Sequence, residues 1–326
     1  MFLPRTMLGF ALLLASGPVL AAAEAPVQRD YPSKPIRVVV PYAPGGPMDY
    51  TARMLGRKMQ NLMTLVVDNR PGAGGALGSD LVAKSAPDGY TMLHSSSSHA
   101  SLPVITKRLP YDPVKDFAPI TLALKSVGFL FVAHPGVPAR SVREFVAEAR
   151  AKPGKLTYGS GGVGNVMHFA AEIFNDMAGT KITHIPYKGV GQAITDLLGG
   201  RIDTCFGPPT VLLPHVKAGK LRALGITAST RWSDLPEVPT IDEAGVKGYL
   251  FVPWYAFWFP AGTPHEYVNR MRNEIAKALE DPEIRRAFAE QGFVSVGSTP
   301  ADFAKTVVNE IEGNRRLAAK IGLTPE

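Results

Sequence analysis

Two glycine-rich stretches hold the residues best placed to do chemistry: Pro41-Tyr42-Ala43-Pro44-Gly45-Gly46-Pro47-Met48-Asp49 and Gly159-Ser160-Gly161-Gly162-Val163-Gly164-Asn165. Each follows a short strand-like run and precedes apolar residues at helical spacing, so each reads as a turn from a strand into a helix. The first amides of a helix lack intrahelical acceptors and sit at the positive end of its dipole, which suits them to an anion. Glycine lets a bare backbone come close to that anion. In open α/β folds ligands lie outside the carboxyl ends of the strands. Two such loops facing each other would grip one anion from both sides, whereas either loop alone is also common punctuation between elements.

The second loop also spells G-x-G-x-x-G through Gly159, Gly161 and Gly164. A dinucleotide site needs an acidic residue at the end of the next strand, and that strand ends instead at Pro186-Tyr187-Lys188. No G-x-S-x-G elbow, H-E-x-x-H or Walker A run occurs, so catalytic constellations are thin. His168 and Glu172 stand four apart on one helix, a spacing that fits a surface or capping pair better than a metal site without a third ligand. We therefore expect no metal and no cofactor. Ser97 and Ser98 close a serine run after a strand and are candidate hydroxyl donors; Asp203, read as lying in a strand, is a hydrogen-bonded structural residue or a cleft residue. Trp254, Tyr255, Phe257 and Trp258 read as core and hinge packing. The lone Cys205 reads as a buried inert thiol.

The elements that position these residues alternate in type. Strand-like runs fall at 36–41, 65–68, 90–94, 129–133, 156–158, 183–186, 202–206, 221–227 and 252–259. Asp49 stands before Ala52, Leu55, Met59 and Leu62, whose spacing marks one face of a helix with Asp49 as its N-cap. Ser141-Val142-Arg143-Glu144 is a capping box, and Thr263-Pro264-His265-Glu266 combines a capping box with proline at the first helical position. Further helices follow at 264–280, 283–291 and 301–319. This alternation predicts an α/β fold of mainly parallel sheets covered by helices. The strands are too many for one comfortable sheet, which points to two lobes.

The first residues set the compartment. Arg5, an apolar run from Met7 and the small residues Ala21-Ala22-Ala23 have the layout of a signal peptide cleaved near Ala23. A membrane-spanning helix needs about 20 apolar residues, and Gly17-Pro18 interrupts this one. Cleavage would lower the formal net charge from +7 to +6. The basic residues are scattered, which reads as a solvated surface that draws anions weakly rather than as a nucleic-acid footprint.

Several stretches, in order along the chain, resemble a known family. They include Tyr31-Pro32-Ser33-Lys34-Pro35-Ile36, the first glycine loop, Asp68-Asn69-Arg70-Pro71-Gly72-Ala73-Gly74-Gly75 and Pro87-Asp88-Gly89-Tyr90-Thr91. Leu109-Pro110-Tyr111-Asp112-Pro113, Pro186-Tyr187-Lys188-Gly189, Asp196-Leu197-Leu198-Gly199-Gly200 and Pro260-Ala261-Gly262-Thr263-Pro264 extend the match. The chain resembles the periplasmic solute receptors of tripartite tricarboxylate transporters, the Bug-type proteins. The resemblance implies a two-lobed periplasmic binding protein fold of type II, the Venus flytrap. It places a signal peptide at 1–23, a discontinuous first lobe at 24–124 plus 252–326 and a second lobe at 125–251. It implies capture of a small carboxylate (amino acid, di- or tricarboxylate, or aromatic acid) and delivery to membrane transporter subunits. The carboxylate would be held by the loops of Tyr42, Ala43, Gly45, Gly46 and Pro47 and of Ser160, Gly161, Gly162 and Asn165, with Asp49 organising the first. Asn165, Gly191-Gln192 and Leu102 depart from the family pattern near the cleft, so the particular ligand does not follow. A sensor docking on a signalling protein would use the same chemistry, and an enzyme would need Asp203 or His168 as a base.

Overall fold

The computed structural model describes residues 31–320 and Pro325, so the leader read from residues 1–23 lies outside the described residues. The first half runs β1 (Ile36–Val40), α1 (Pro47–Met59), β2 (Leu65–Asn69), α2 (Ala76–Ala83), β3 (Thr91–Ser96), α3 (Ser98–Ile105) and β4 (Phe117–Ser126). Next come β5 (Leu130–Ala133), α4 (Val142–Ala151), β6 (Thr157–Ser160), α5 (Val166–Ala178), β7 (Thr183–Pro186), α6 (Val190–Leu198), β8 (Thr204–Gly207), α7 (Pro209–Lys217) and β9 (Arg222–Ile226). The chain closes with β10 (Trp254–Pro260), α8 (His265–Glu280), α9 (Pro282–Ala289), β11 (Phe293–Ser295) and α10 (Pro300–Lys320).

These strands form two sheets, ordered β11-β4-β10-β3-β1-β2 and β7-β6-β8-β5-β9. The pairs β1–β2, β1–β3, β6–β7 and β6–β8 are parallel, while β10, β11 and β5 pair antiparallel to their neighbours. The fold is thus α/β with two lobes and mixed rather than purely parallel sheets. The chain changes sheet between Ser126 and Leu130 and returns between Ile226 and Trp254. Helices connecting parallel strands must pack on the sheet faces, which buries both faces and makes the strands apolar throughout. Strand β10, though antiparallel to its neighbours, lies inside the first sheet and is covered as well: all seven of its residues are buried.

Four elements differ from the sequence expectation for identifiable reasons. Strand β4 is ten residues long and buried on both faces, so it lacks the alternation that marks a strand. Helix α3 is buried all round and carries Pro103, and α7 carries Pro209 and Pro214, so neither shows a helical stripe with clean ends. Helix α8 begins one residue later than its capping box suggests. Pro264 occupies the cap position, and the Thr263 hydroxyl donates backward to the Pro260 carbonyl. Ser141 does cap α4 by accepting from the Glu144 amide, with Glu144 receiving the Arg140 amide in return.

Candidate ligand-binding cleft

Loop 42–46 leaves the carboxyl end of β1 and loop 161–165 leaves that of β6, and the two come together between the lobes around one cavity. Asp49 is not the N-cap of α1. Gly46 holds that position, Pro47 is first in the helix, and Asp49 lies in its first turn. From there its Oδ2 accepts from the Gly45 amide at 3.1 Å, and its Oδ1 takes the Arg53 guanidinium at 2.9 Å. Burial works against the Asp49 charge, but Arg53 and the Gly45 amide together outweigh it and hold the carboxyl below its ordinary value. Arg53 continues to Asn69, whose Nδ2 donates to the Tyr42 carbonyl, so the first loop is fixed at both ends.

The second loop is ordered from beneath by two stacked histidines. His184 and His168 lie 4.1 Å apart, ring on ring, and Tyr158 stacks beside them, 4.9 Å from His184 and 6.4 Å from His168. His168 Nδ1 accepts from the Gly164 amide at 3.2 Å, and a His184 ring nitrogen meets Ser160 Oγ at 2.6 Å. Burial pushes the two rings down, to about 4 and about 3, His184 further because His168 lies beside it. Glu172 takes no part in a metal site with His168; it accepts from the Tyr158 hydroxyl at 2.6 Å. Among the described residues no group of three or more His, Cys, Asp or Glu could hold a metal. Ser160 and His184 make a hydroxyl–imidazole pair, but the hydroxyl is fully buried and also engages the carbonyl and amide of Gly162. Its partners make it a brace for the loop.

What the two loops offer a ligand is backbone. Gly46, Met48 and Gly161 line the cavity and are buried residues, and their amides have no acceptor among the described residues. A buried amide left without a partner costs about 1–3 kcal/mol, so three of them converging from two lobes favour an acceptor placed between them. Not all helix-start amides remain available. Val166, the first residue of α5, donates to Ser98 Oγ at 3.1 Å, and Asn165 caps the Met167 amide with its own side chain.

The lobes are closed on each other. Ser101 Oγ donates across to the Gly164 carbonyl at 3.1 Å, and a Cβ placed on Gly74 would lie 2.2 Å from the Val163 carbonyl oxygen. The inner cavity in this arrangement measures about 30 Å³. An outer hollow of about 530 Å³ adjoins it, lined by Tyr42, the turn at residues 72–75, the second loop, Pro186, Tyr187, Lys188 and Gln192.

Most residues singled out from the sequence gather here, but three do not fit as expected. Asp203 precedes β8 rather than lying in it, at the amino end of that strand, whereas loop 161–165 follows the carboxyl end of the parallel β6. Its carboxylate staples the sheet by accepting from the Thr157 amide and hydroxyl, both at 2.8 Å. Ser97 and Ser98 begin α3, and Ser98 serves the opposite lobe's helix. The sequence reading missed Phe129, Met167, Val190, Pro208 and Tyr255 in the inner wall. Their signal is weak because apolar residues at strand ends look like core. The turn at Gly72-Ala73-Gly74-Gly75 carried a stronger signal, since glycine density after β2 mirrors the two assigned loops.

Two sheets joined by two crossings, with strand-end loops closing on a shared cavity, define a two-lobed solute-binding receptor. The sequence matches the tripartite tricarboxylate transporter family receptor over residues 51–323, and the chain belongs to that family. It is 37% identical over 309 residues to protein BugT of Bordetella pertussis, covering 92% of this chain and 94% of BugT. The solved periplasmic binding protein BugD is 30% identical with a TM-score of 0.87, over 91% of this chain and 100% of BugD. An R. palustris protein solved with adipate is 32% identical with a TM-score of 0.88, over 91% and 100% of the two chains.

Proposed function

We propose that this chain captures a small carboxylate between its lobes and presents it to membrane subunits of a tripartite tricarboxylate-type transporter. The observation that carries the reading is that Gly46, Met48 and Gly161, whose amides have no acceptor among the described residues, line one cavity from both lobes. The adipate bound to the R. palustris relative supports the ligand class. Residues 24–124 with 252–326 form one moving unit and 125–251 the other, which accords with the sheet changes between Ser126 and Leu130 and between Ile226 and Trp254. Cleavage near Ala23 exports the chain to the periplasm, and no helix among the described residues is long and apolar enough to cross a membrane. The protein binds without turnover, a reading supported by the Ser160–His184 pair, whose hydroxyl is buried and bonded to Gly162 within the loop. A thermal-shift screen of small carboxylates tests the reading, because a ligand selective for the folded state raises its melting temperature. Stabilisation by another ligand class with none from any carboxylate would refute it.

A further inference from the structure

Each of the two sheets has two edge strands. An edge carries a row of unpaired N–H and C=O groups that invites another strand unless it is short, interrupted by proline or covered. Three of these four edges are managed in one of those ways. Strand β11 has three residues, β7 has four and ends at Pro186, and residues 239–241 bond to Ile226 at the end of β9. Strand β2 has none of these three devices. It runs Leu65-Val66-Val67-Asp68-Asn69, with no proline and an unbroken register on β1.

The outward row of β2 follows from its ladder. The Ile36 amide donates to the Thr64 carbonyl and the Arg70 amide to the Val40 carbonyl, both at 2.8 Å, and Ile36, Val38 and Val40 stand opposite Leu65, Val67 and Asn69. In a parallel pair that register sends the inward bonds to residues 64, 66, 68 and 70. Leu65, Val67 and Asn69 therefore turn their N–H and C=O groups away from β1, and none of these groups has a partner among the described residues. Beside them, between α1 and the strand, lies a hollow of about 360 Å³ whose lining includes Arg53, Gly56, Arg57, Leu65 and Val67. Arg53 is tied to Asp49, but Arg57 is exposed and has no carboxylate partner among the described residues. On the other face of the strand Val66 is 49% exposed.

We propose that the β2 edge takes an extended acidic segment of a partner protein as an added strand of the first sheet. The incoming backbone bonds to Leu65, Val67 and Asn69. Its side chains alternate between the two faces, so acidic residues reach the hollow beside Arg53 and Arg57 while apolar ones lie over Val66. Charge selects against a second copy of this chain as the occupant. Two β2 strands pairing antiparallel are related by a two-fold axis normal to the sheet, which keeps both α1 helices on one face and sets the two basic hollows side by side. The surface shares no residue with the inter-lobe cavity, so it stands or falls independently of the ligand bound there.

A labelled peptide of alternating glutamate and valine, about six residues long, is titrated into the full mature chain beside its lysine–valine counterpart. Fluorescence anisotropy should give the acidic peptide a Kd below about 1 mM, at least tenfold tighter than the basic one. In amide-resolved NMR the Leu65, Val67 and Asn69 amides should move more than those of Val66 and Asp68, which already bond to β1. Val67→Pro removes an N–H that the protein's own sheet does not use and should abolish peptide binding. Arg57→Glu, a change at an exposed position, should weaken it at least fivefold. If the proline variant does not fold, the glutamate variant and the amide shifts still decide. No binding in that concentration range, equal binding of the two peptides, or binding that leaves the Leu65, Val67 and Asn69 amides in place overturns the proposal. A dimer in sedimentation that Val67→Pro abolishes gives the edge to a second copy and overturns it as well.

Discussion

Ser98 Oγ, at the start of α3 in one lobe, accepts the amide of Val166, the first residue of α5 in the other, at 3.1 Å. The first amide of α5 is therefore already partnered by a hydroxyl from the opposite lobe with the lobes shut. Ser98→Ala should remove about 1 kcal/mol from closure, the net worth of one such bond. Affinity for the preferred acid should fall about fivefold, with the ligand-free radius of gyration unchanged or larger. Tighter binding by the alanine variant would mean that the hydroxyl competes with the ligand for Val166.

Gly74 makes closure testable by bulk. Its φ is +63°, and a Cβ there would meet the opposite lobe's Val163 carbonyl at 2.2 Å. Gly219 has φ +68° with nothing within 4 Å of a new Cβ, so Gly219→Ala carries the same backbone strain without the clash. Both variants should lose about 1–2 kcal/mol of stability from the left-handed conformation. Only Gly74→Ala should lose affinity, by at least tenfold, and only it should fail to compact with ligand in small-angle scattering. Equal behaviour of the two would show that the cleft need not shut.

The sequence made the two loops legible because glycine and a following helical stripe are local signals. Asp49 was visible as an organiser of the first loop, though one turn from its true place in α1, since a cap and a first-turn acid both favour the helix start. The His168–His184 stack was not visible, because it joins α5 to β7 through tertiary packing alone. Tyr255 was hidden for a related reason: within a run of aromatics nothing local distinguishes the one residue that lines the cavity. Asp203 misled because a polar residue beside a strand reads alike at either end, and it lies at the amino end of β8, away from the loop that follows the parallel β6.

Asp203 accordingly separates structure from binding. Asp203→Ala orphans the Thr157 amide and hydroxyl and should cost about 1–3 kcal/mol of stability. Affinity for the carboxylate should stay within twofold. A large loss of affinity with an unchanged melting temperature would return Asp203 to the cleft.

Acid should destabilise the protein steeply. Burial lowers His94, His99 and His168 to about 4 and His184 to about 3, so all four are neutral in the fold and protonate first in the unfolded chain. Their contribution is fully present above pH about 6.5 and is lost as pH falls from there toward 4. Glu310, raised to about 7 by burial beside Trp254, acts oppositely and loses its contribution as pH rises from about 4.5 to 7. The melting temperature should therefore drop markedly between pH 6.5 and 5. Glu310→Gln should be more stable than wild type at pH 8, by up to roughly 3 kcal/mol. A melting temperature flat from pH 7 to 5 would contradict the buried neutral histidines.

The central claim is that backbone amides from both lobes hold one carboxylate, and amide-resolved NMR reads it directly. Titrating the mature chain with the tightest-binding acid should move the amide protons of Gly46, Met48 and Gly161 downfield together, saturating with a single Kd. The Gly45 amide, already bonded to Asp49, should move least among its neighbours. Shifts confined to one of the two loops, or none at either loop while the acid still binds, would contradict the account.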